Sequence, residues 1–287
     1  KAYVNQQLRE VRVILQETDG GGIDLSPTGS KIELRGPNDK QVIGNQSNDG
    51  RNTLIYTLGK PLATDGSDDG QYKIAVTAVN SAKRMDQERT FSFIYDTQAP
   101  EVIWATPPIN VNASLSYINS FITEIQVRLR DKGPAGLDLT RSTIRITDLS
   151  GKMVEGTSSN DEKDTLTFSF PSGLSIEGEY TLSVVAVDKA GNSMPAAIRF
   201  VYGISIPKVV STTPVTTPAE KAYTNAQVRE VRAVLSETGT SGIDFSPTGS
   251  VIKLIGPKGN EVPGVQSNNG KDTLILTLTK PLSADGS

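Results

Sequence analysis

The 287-residue sequence contains no cysteine and no histidine. Without cysteine there is no disulfide staple and no thiolate to act as nucleophile or metal ligand. Without histidine the commonest general base and the commonest transition-metal ligand are gone. Ser-His-Asp triads, Cys/His zinc centres and Cys-His pairs are therefore excluded together. No run of about 18 apolar residues occurs, so no transmembrane helix is expected. No signal peptide lies within the chain either, and Lys1-Ala2-Tyr3 reads as the interior of a longer polypeptide. A formal charge of −3 is too small to imply a partner, and without a basic stripe no nucleic acid is expected. Carboxylates, hydroxyls and lysines remain, which leaves hard-cation sites and two-carboxylate chemistry open. Glycoside hydrolysis needs two acids facing across a cleft, and here the acids fall on short loops with no insertion to build one. No enzymatic activity is expected.

What the sequence does contain is itself, repeated. Lys1–Ser67 aligns with Lys221–Ser287 without a gap, and roughly three positions in five are identical. Gly22-Ile-Asp-Leu-Ser-Pro-Thr-Gly-Ser30 answers Gly242-Ile-Asp-Phe-Ser-Pro-Thr-Gly-Ser250, and Lys60-Pro-Leu answers Lys280-Pro-Leu. A diverged copy lies between them: Tyr117-Ile-Asn matches Tyr3-Val-Asn, and Gly136-Leu-Asp-Leu-Thr140 matches Gly22-Ile-Asp-Leu-Ser26. The period of about 110 residues is too long for a solenoid unit and right for whole sandwich domains. Repeats are expected over 1–98, 99–205 and 206–287.

Within each copy the pattern is β. Val11, Val13 and Leu15 alternate with Arg12, Ile14 and Gln16; Ile125, Val127 and Leu129 alternate with Gln126, Arg128 and Arg130. Period two with one polar face describes a half-buried strand. Leu166, Phe168 and Phe170 repeat it, as do Tyr180, Leu182, Val184 and Ala186. Gly36-Pro37, Asp49-Gly50 and Asn269-Gly270 punctuate the runs with turns.

Asp69-Gly-Gln-Tyr72 and Glu177-Gly-Glu-Tyr180 resemble the tyrosine corner of immunoglobulin-like folds, in which the phenol bonds back to the corner backbone. Two residues on, where antibody domains place a cysteine, stand Ile74 and Leu182, and the core tryptophan of those domains is missing. Asp96-Thr-Gln-Ala-Pro100 and Ala186-Val-Asp-Lys-Ala-Gly-Asn192 look like the joint and the sixth-to-seventh-strand turn of bacterial Ig-like repeats of large surface and adhesin-type proteins. The resemblance implies an all-β chain of tandem immunoglobulin-like β-sandwich domains arranged end to end. It also implies an extracellular, cell-surface location in a secreted bacterial protein. The joints Asp96–Pro100 and Gly203–Pro207 are short, which predicts a stiff rod, and the prolines of Thr106-Pro-Pro108 and Thr212–Pro218 are expected to form an extended kink. Copy one is expected to lack its first strand and copy three its last two, so that the chain either continues or is completed by strands from another chain.

Several residues are weighed as ligands. Asp65, Asp68 and Asp69, and Asp96 and Asp188 near the joints, are candidate calcium ligands, because calcium takes six to eight oxygens and would stiffen a joint. Gly203 in place of Asp96 at the second joint argues against a regularly repeated site. Asp161, Glu162 and Asp164 read as a solvated acidic loop. Asp24, Asp138 and Asp244, which recur in all three copies, read as Asx-turn acceptors opening the third strand. Tyr72 and Tyr180 are structural corner tyrosines, and Trp104 is expected in core or joint packing rather than as a sugar platform.

The function expected is that of structural or spacer repeats that project or support other domains as a rod or fibre, with adhesion at the end of such an array. A filament subunit completed by strand exchange and an accessory module of a large secreted enzyme are the alternatives. Loops that differ between copies would mark a binding module, yet Ser26–Ser30 and Ser246–Ser250 are the same. The partners expected are other Ig-like repeats of the same or neighbouring chains, including a homopolymer.

Overall fold

A computed structural model of the chain describes residues 1–17, 20–214 and 224–283. Pro218 and the repeat residues Lys221, Ala222 and Tyr223 fall outside the described residues. The described part is built from strands, with one short 3-10 turn at Pro37–Asp39.

The first copy runs β1 (Ala2–Val4), β2 (Glu10–Ile14), β3 (Lys31–Arg35), β4 (Gly44–Asn48), β5 (Thr53–Leu58), β6 (Gly70–Thr77) and β7 (Arg89–Tyr95). The middle copy runs β8 (Glu101–Thr106), β9 (Ser116–Ile118), β10 (Glu124–Arg130), β11 (Thr143–Asp148), β12 (Thr157–Asn160), β13 (Thr165–Ser169), β14 (Gly178–Val187) and β15 (Ser193–Tyr202). The third holds β16 (Lys208–Thr213), β17 (Val228–Ser236), β18 (Gly264–Asn268) and β19 (Thr273–Leu282).

The middle copy is a complete sandwich. One sheet has the order β12-β13-β10-β8 and the other β11-β14-β15-β9. The leading segment switches sheets: β8 pairs antiparallel with β10, and β9 then pairs parallel with β15. Between them the Thr106-Pro107 peptide is cis, as is Thr213-Pro214 after β16. Strand β10 shows why such sequences fold this way. Ile125, Val127 and Leu129 point inward and are fully buried or nearly so, while Glu124, Arg128 and Arg130 face solvent. A bulge between Arg128 and Leu129 shifts the register against β8. Ala105 faces the core, whereas Ile103 and Trp104 both face outward. Trp104 is 47% exposed, which corrects its expected place in core or joint packing.

The copies differ in how much they bury. Among described residues, 21 buried side chains form the core cluster of the middle copy, 12 that of the first and three that of the third. The first copy has the sheets β1-β7-β6-β3 and β2-β5-β4, and among the described residues no strand lies beyond β2 to match β8. In the third, residues 251–255 align with β3 and keep its inward pattern at Ile252 and Leu254, yet form no strand. In the first copy β3 is held by β6, and among the described residues of the third no counterpart of β6 is present. A strand with no ladder partner leaves its backbone groups to water. No helix among the described residues is long and apolar enough to cross a membrane.

Candidate functional site

The residues with the most chemistry in this fold are three aspartates at the first joint. Asp96 follows β7 directly, in the short segment that leads into β8. Its backbone N–H donates to Val4 O of the first copy at 2.9 Å. Its side chain points into the middle copy, where Ala135 N–H donates to Oδ2 at 2.7 Å, and Gln98 N–H donates to Oδ1 at 3.1 Å. Asn192 Nδ2 donates to its main-chain oxygen at 2.8 Å. One residue thus ties both copies together, and it is 0% exposed.

Two more carboxylates face it. Asp131 stands just after β10 and accepts Gly133 N–H at 3.0 Å and Gly136 N–H at 2.6 Å. Asp188 stands just after β14, is 0% exposed, and accepts Gly191 N–H, Asn192 N–H and Asn192 Nδ2 at 2.7–2.9 Å. Ligand oxygens of Asp96, Asp131 and Asp188 all lie within 4.8 Å of one another. Gly133 makes the arrangement sterically feasible, since a β-carbon there would lie 2.0 Å from Asp96 Oδ1.

Burial pushes the Asp96 carboxyl up to about 6, and the charges of Asp131 and Asp188 add to the rise, against the lowering effect of its backbone donors. Burial likewise raises Asp131, with the Asp188 charge adding to it. Asp96 and Asp188 are buried and Asp131 partly so, and among the described residues no basic side chain bonds to any of the three carboxylates, which makes them costly together as anions. They offer three carboxylates toward the six to eight oxygens that a calcium ion takes, with backbone donors already fixing each carboxylate. A hard divalent cation such as calcium, if bound here, would be held by Asp96, Asp131 and Asp188 and would supply charge neutralisation and a cross-link rather than reactivity. The sequence reading included Asp96 and Asp188 and missed Asp131. The position was nevertheless marked, because the repeat alignment places Glu17 and Glu237 there in the other copies, and each has a buried carboxylate oxygen with no partner among the described residues.

The other candidates serve turns and joints. Asp65 accepts Ser67 N–H at 3.0 Å and its hydroxyl at 2.6 Å, which lowers its pKa. Asp68 Oδ2 accepts Ala63 N–H at 2.7 Å, and its main-chain oxygen accepts the Tyr72 hydroxyl at 2.7 Å. In the middle copy the Tyr180 hydroxyl donates to Ile176 O at 2.6 Å. Asp69, the acid of the corner, accepts Thr97 N–H and Oγ1–H at 3.0–3.1 Å and so clamps the first joint back onto its own copy. Its counterpart Glu177 does the same at the second joint, accepting Ile204 N–H, Ser205 N–H and the Ser205 hydroxyl at 2.6–2.8 Å. These bonds, led by the Ser205 hydroxyl, hold Glu177 below its usual range. None of Asp65, Asp68 and Asp69 joins a cluster of three ligand-bearing residues among the described residues.

Asp24, Asp138 and Asp244 accept the N–H two residues on, from Ser26, Thr140 and Ser246, at 2.8–3.2 Å, which is the Asx geometry. Asp161 accepts three successive N–H groups, from Lys163, Asp164 and Thr165, and Asp164 pairs with Arg128 at 2.8 Å.

No protein-family model and no curated protein matches the chain. Solved structures that resemble it include fibronectin(III)-like modules of Clostridium thermocellum CbhA (16% identity, covering 70% of this chain and 87% of that one, TM-score 0.29). A tetra-tandem repeat from the extending region of a large adhesion protein (14%, 91% and 60%, TM-score 0.31) and cadherin domains 1–5 of protocadherin gamma B2 (14%, 98% and 52%, TM-score 0.29) are also similar. At such scores the likeness adds nothing to what the strand order itself establishes: the chain is all-β, a tandem array of immunoglobulin-like sandwiches.

Proposed function

We propose that the chain is a non-enzymatic spacer, a stretch of Ig-like repeats in a bacterial extracellular surface protein, whose first joint is a calcium-stiffened strut. The observation that carries this reading is Asp96. A linker residue fully buried in the next domain, bonded at its N–H to one copy and at its carboxylate to the other, leaves that joint little freedom to bend. Neutralising its two acidic neighbours with a divalent cation would remove the remaining repulsion across the joint. The short joints and the copies' shared turns support load-bearing in preference to ligand capture.

Small-angle scattering of the 287-residue chain in calcium and in chelator tests the proposal. A compact body of this length would have a radius of gyration of about 19 Å. The rod predicts a value well above that in calcium and a broader spread of shapes in chelator. A compact value, or profiles that superimpose in the two conditions, would remove the rod or the cation respectively.

A further inference from the structure

Acids and bases are interleaved at the first joint, yet they do not pair with one another. Asp131 stands between Arg130 and Lys132, and Arg141 Nη2 donates to the main-chain oxygen of Asp188 at 2.8 Å. Three cations thus stand beside three anions that they could neutralise from within. Each base is held by a different carboxylate instead. Glu101 takes two of them: Arg130 Nε donates to its Oε1 at 3.0 Å, and Lys132 Nζ pairs with its Oε2 at 2.7 Å. Asp138 takes the third, with Arg141 Nε against its Oδ2 at 2.7 Å. The third copy has none of this arrangement. Ser236, Thr238 and Pro247 replace the three bases, and Lys208, which lies opposite Ser236, replaces Glu101, which lies opposite Arg130. The bases and the carboxylate that holds two of them therefore occur in the copy that brings three acids together.

We infer that Glu101 is a positioning residue of the first joint: it holds Arg130 and Lys132 away from Asp96, Asp131 and Asp188, and so keeps those acids open to a cation from solution. The purpose rests on the divalent-cation reading of the joint proposed above, whereas the diversion of the bases rests on the bonds to Glu101 alone. A lysine carries its charge on a flexible stem. Once released, Lys132 would turn toward the densest negative charge within reach, and charges in a partly buried site are screened less than those on the surface. The base would then compete with any external ion.

The test uses the full chain with Glu101→Gln, which keeps the shape and removes the charge, with Arg130→Gln and Lys132→Gln together, and with all three substitutions. In chelator at neutral pH, Glu101→Gln should melt at a higher temperature than the parent, because the freed bases neutralise the acids, and the triple variant should lose that gain. A surface ion pair with no role beyond its own stability would give the opposite sign for Glu101→Gln. Calcium titrated calorimetrically should bind Glu101→Gln about tenfold more weakly than the parent; removing both bases should shift affinity less than about threefold when Glu101 is present and restore about tenfold when it is absent, a non-additivity that a change in net charge alone does not produce. A lower melting temperature for Glu101→Gln in chelator, or an equal effect of removing the bases in the two backgrounds, would overturn the inference. A parent that binds no calcium while the melting temperatures keep the expected order would remove the calcium reading and support the part assigned to Glu101.

Discussion

The two joints occupy equivalent positions and are built differently. At the first, Asp96 reaches forward into the middle copy and meets Asp131 and Asp188. At the second the same position is Gly203, whose N–H still donates back to Ile118 O at 3.0 Å just as Asp96 donates to Val4 O. The forward reach is missing. In its place Glu177 of the middle copy's corner lies across the joint, with its Oε2 against Gly239 of the third copy. Each joint also keeps one glycine as its cradle. Gly133 gives way to Asp96 and its counterpart Gly239 gives way to Glu177, whose Oε2 would lie 2.3 Å from a β-carbon there. The comparison teaches that the backward clamp is common to both joints and is encoded in the tyrosine corner, whereas the forward bolt is particular to the joint that carries Asp96.

The largest effect expected from breaking this contrast comes from the cradles. Gly133→Ala forces a methyl onto a carboxylate that is fully buried and bonded on both sides, and overpacking of this kind costs about 1–3 kcal/mol. Calorimetry should show the melting of the middle copy fall by on the order of 10 °C. Gly239→Ala meets Glu177 Oε2, which a flexible side chain can withdraw, and also Ser205 Cβ at 2.8 Å and Glu237 Oε1 at 3.2 Å, so its transition should move by less than that of Gly133→Ala. Equal shifts at the two joints would contradict the difference described above.

Next in size is a pH dependence confined to the first joint. Asp96 has its pKa raised from an ordinary 3.8 to about 6 in the folded chain, so the folded state holds the proton more tightly than the unfolded one. The stability that comes with the bound proton is complete below about pH 4 and is lost as pH rises through 6. In chelator the middle copy should therefore melt at progressively lower temperature across that window. Calcium, taking the proton's place, should flatten the curve, and Asp96→Asn should flatten it without calcium. A curve of the same slope in Asp96→Asn would assign the titration to another group.

The contrast also marks how much was legible in the sequence. The strands were, because alternation such as Ile125, Val127, Leu129 is enforced by a core on one side and water on the other. The place of the site was legible too, since Asp96 sits in a joint too short to hide it. Asp131 was not, because it stands between Arg130 and Lys132 and looks like a solvated charge run until the chain fold turns it inward. Trp104 went the other way: a single bulge moved a residue that alternation places inside to the outer face, and bulges leave no mark in a hydrophobic pattern. Residues 251–255 carry the pattern of β3 and form no strand, since pairing depends on a partner as much as on the segment itself.

The smallest expected effect concerns the tyrosine that precedes each joint. Tyr95 and Tyr202 hold equivalent positions, are both 0% exposed, and differ at the hydroxyl. Tyr95 donates to Ala63 O at 3.1 Å, while the Tyr202 hydroxyl is buried with no partner among the described residues. Tyr95→Phe should cost about 1 kcal/mol, the net worth of a hydrogen bond. Tyr202→Phe removes a desolvated group that gains nothing from its burial, and should leave stability unchanged or raise it slightly. Denaturant unfolding of the two variants reads the difference directly. The ordering matters more than either value: a Tyr202→Phe loss as large as that of Tyr95→Phe would mean that the second joint holds its hydroxyl through a water-mediated bond, and that the two joints are more alike than their side chains suggest.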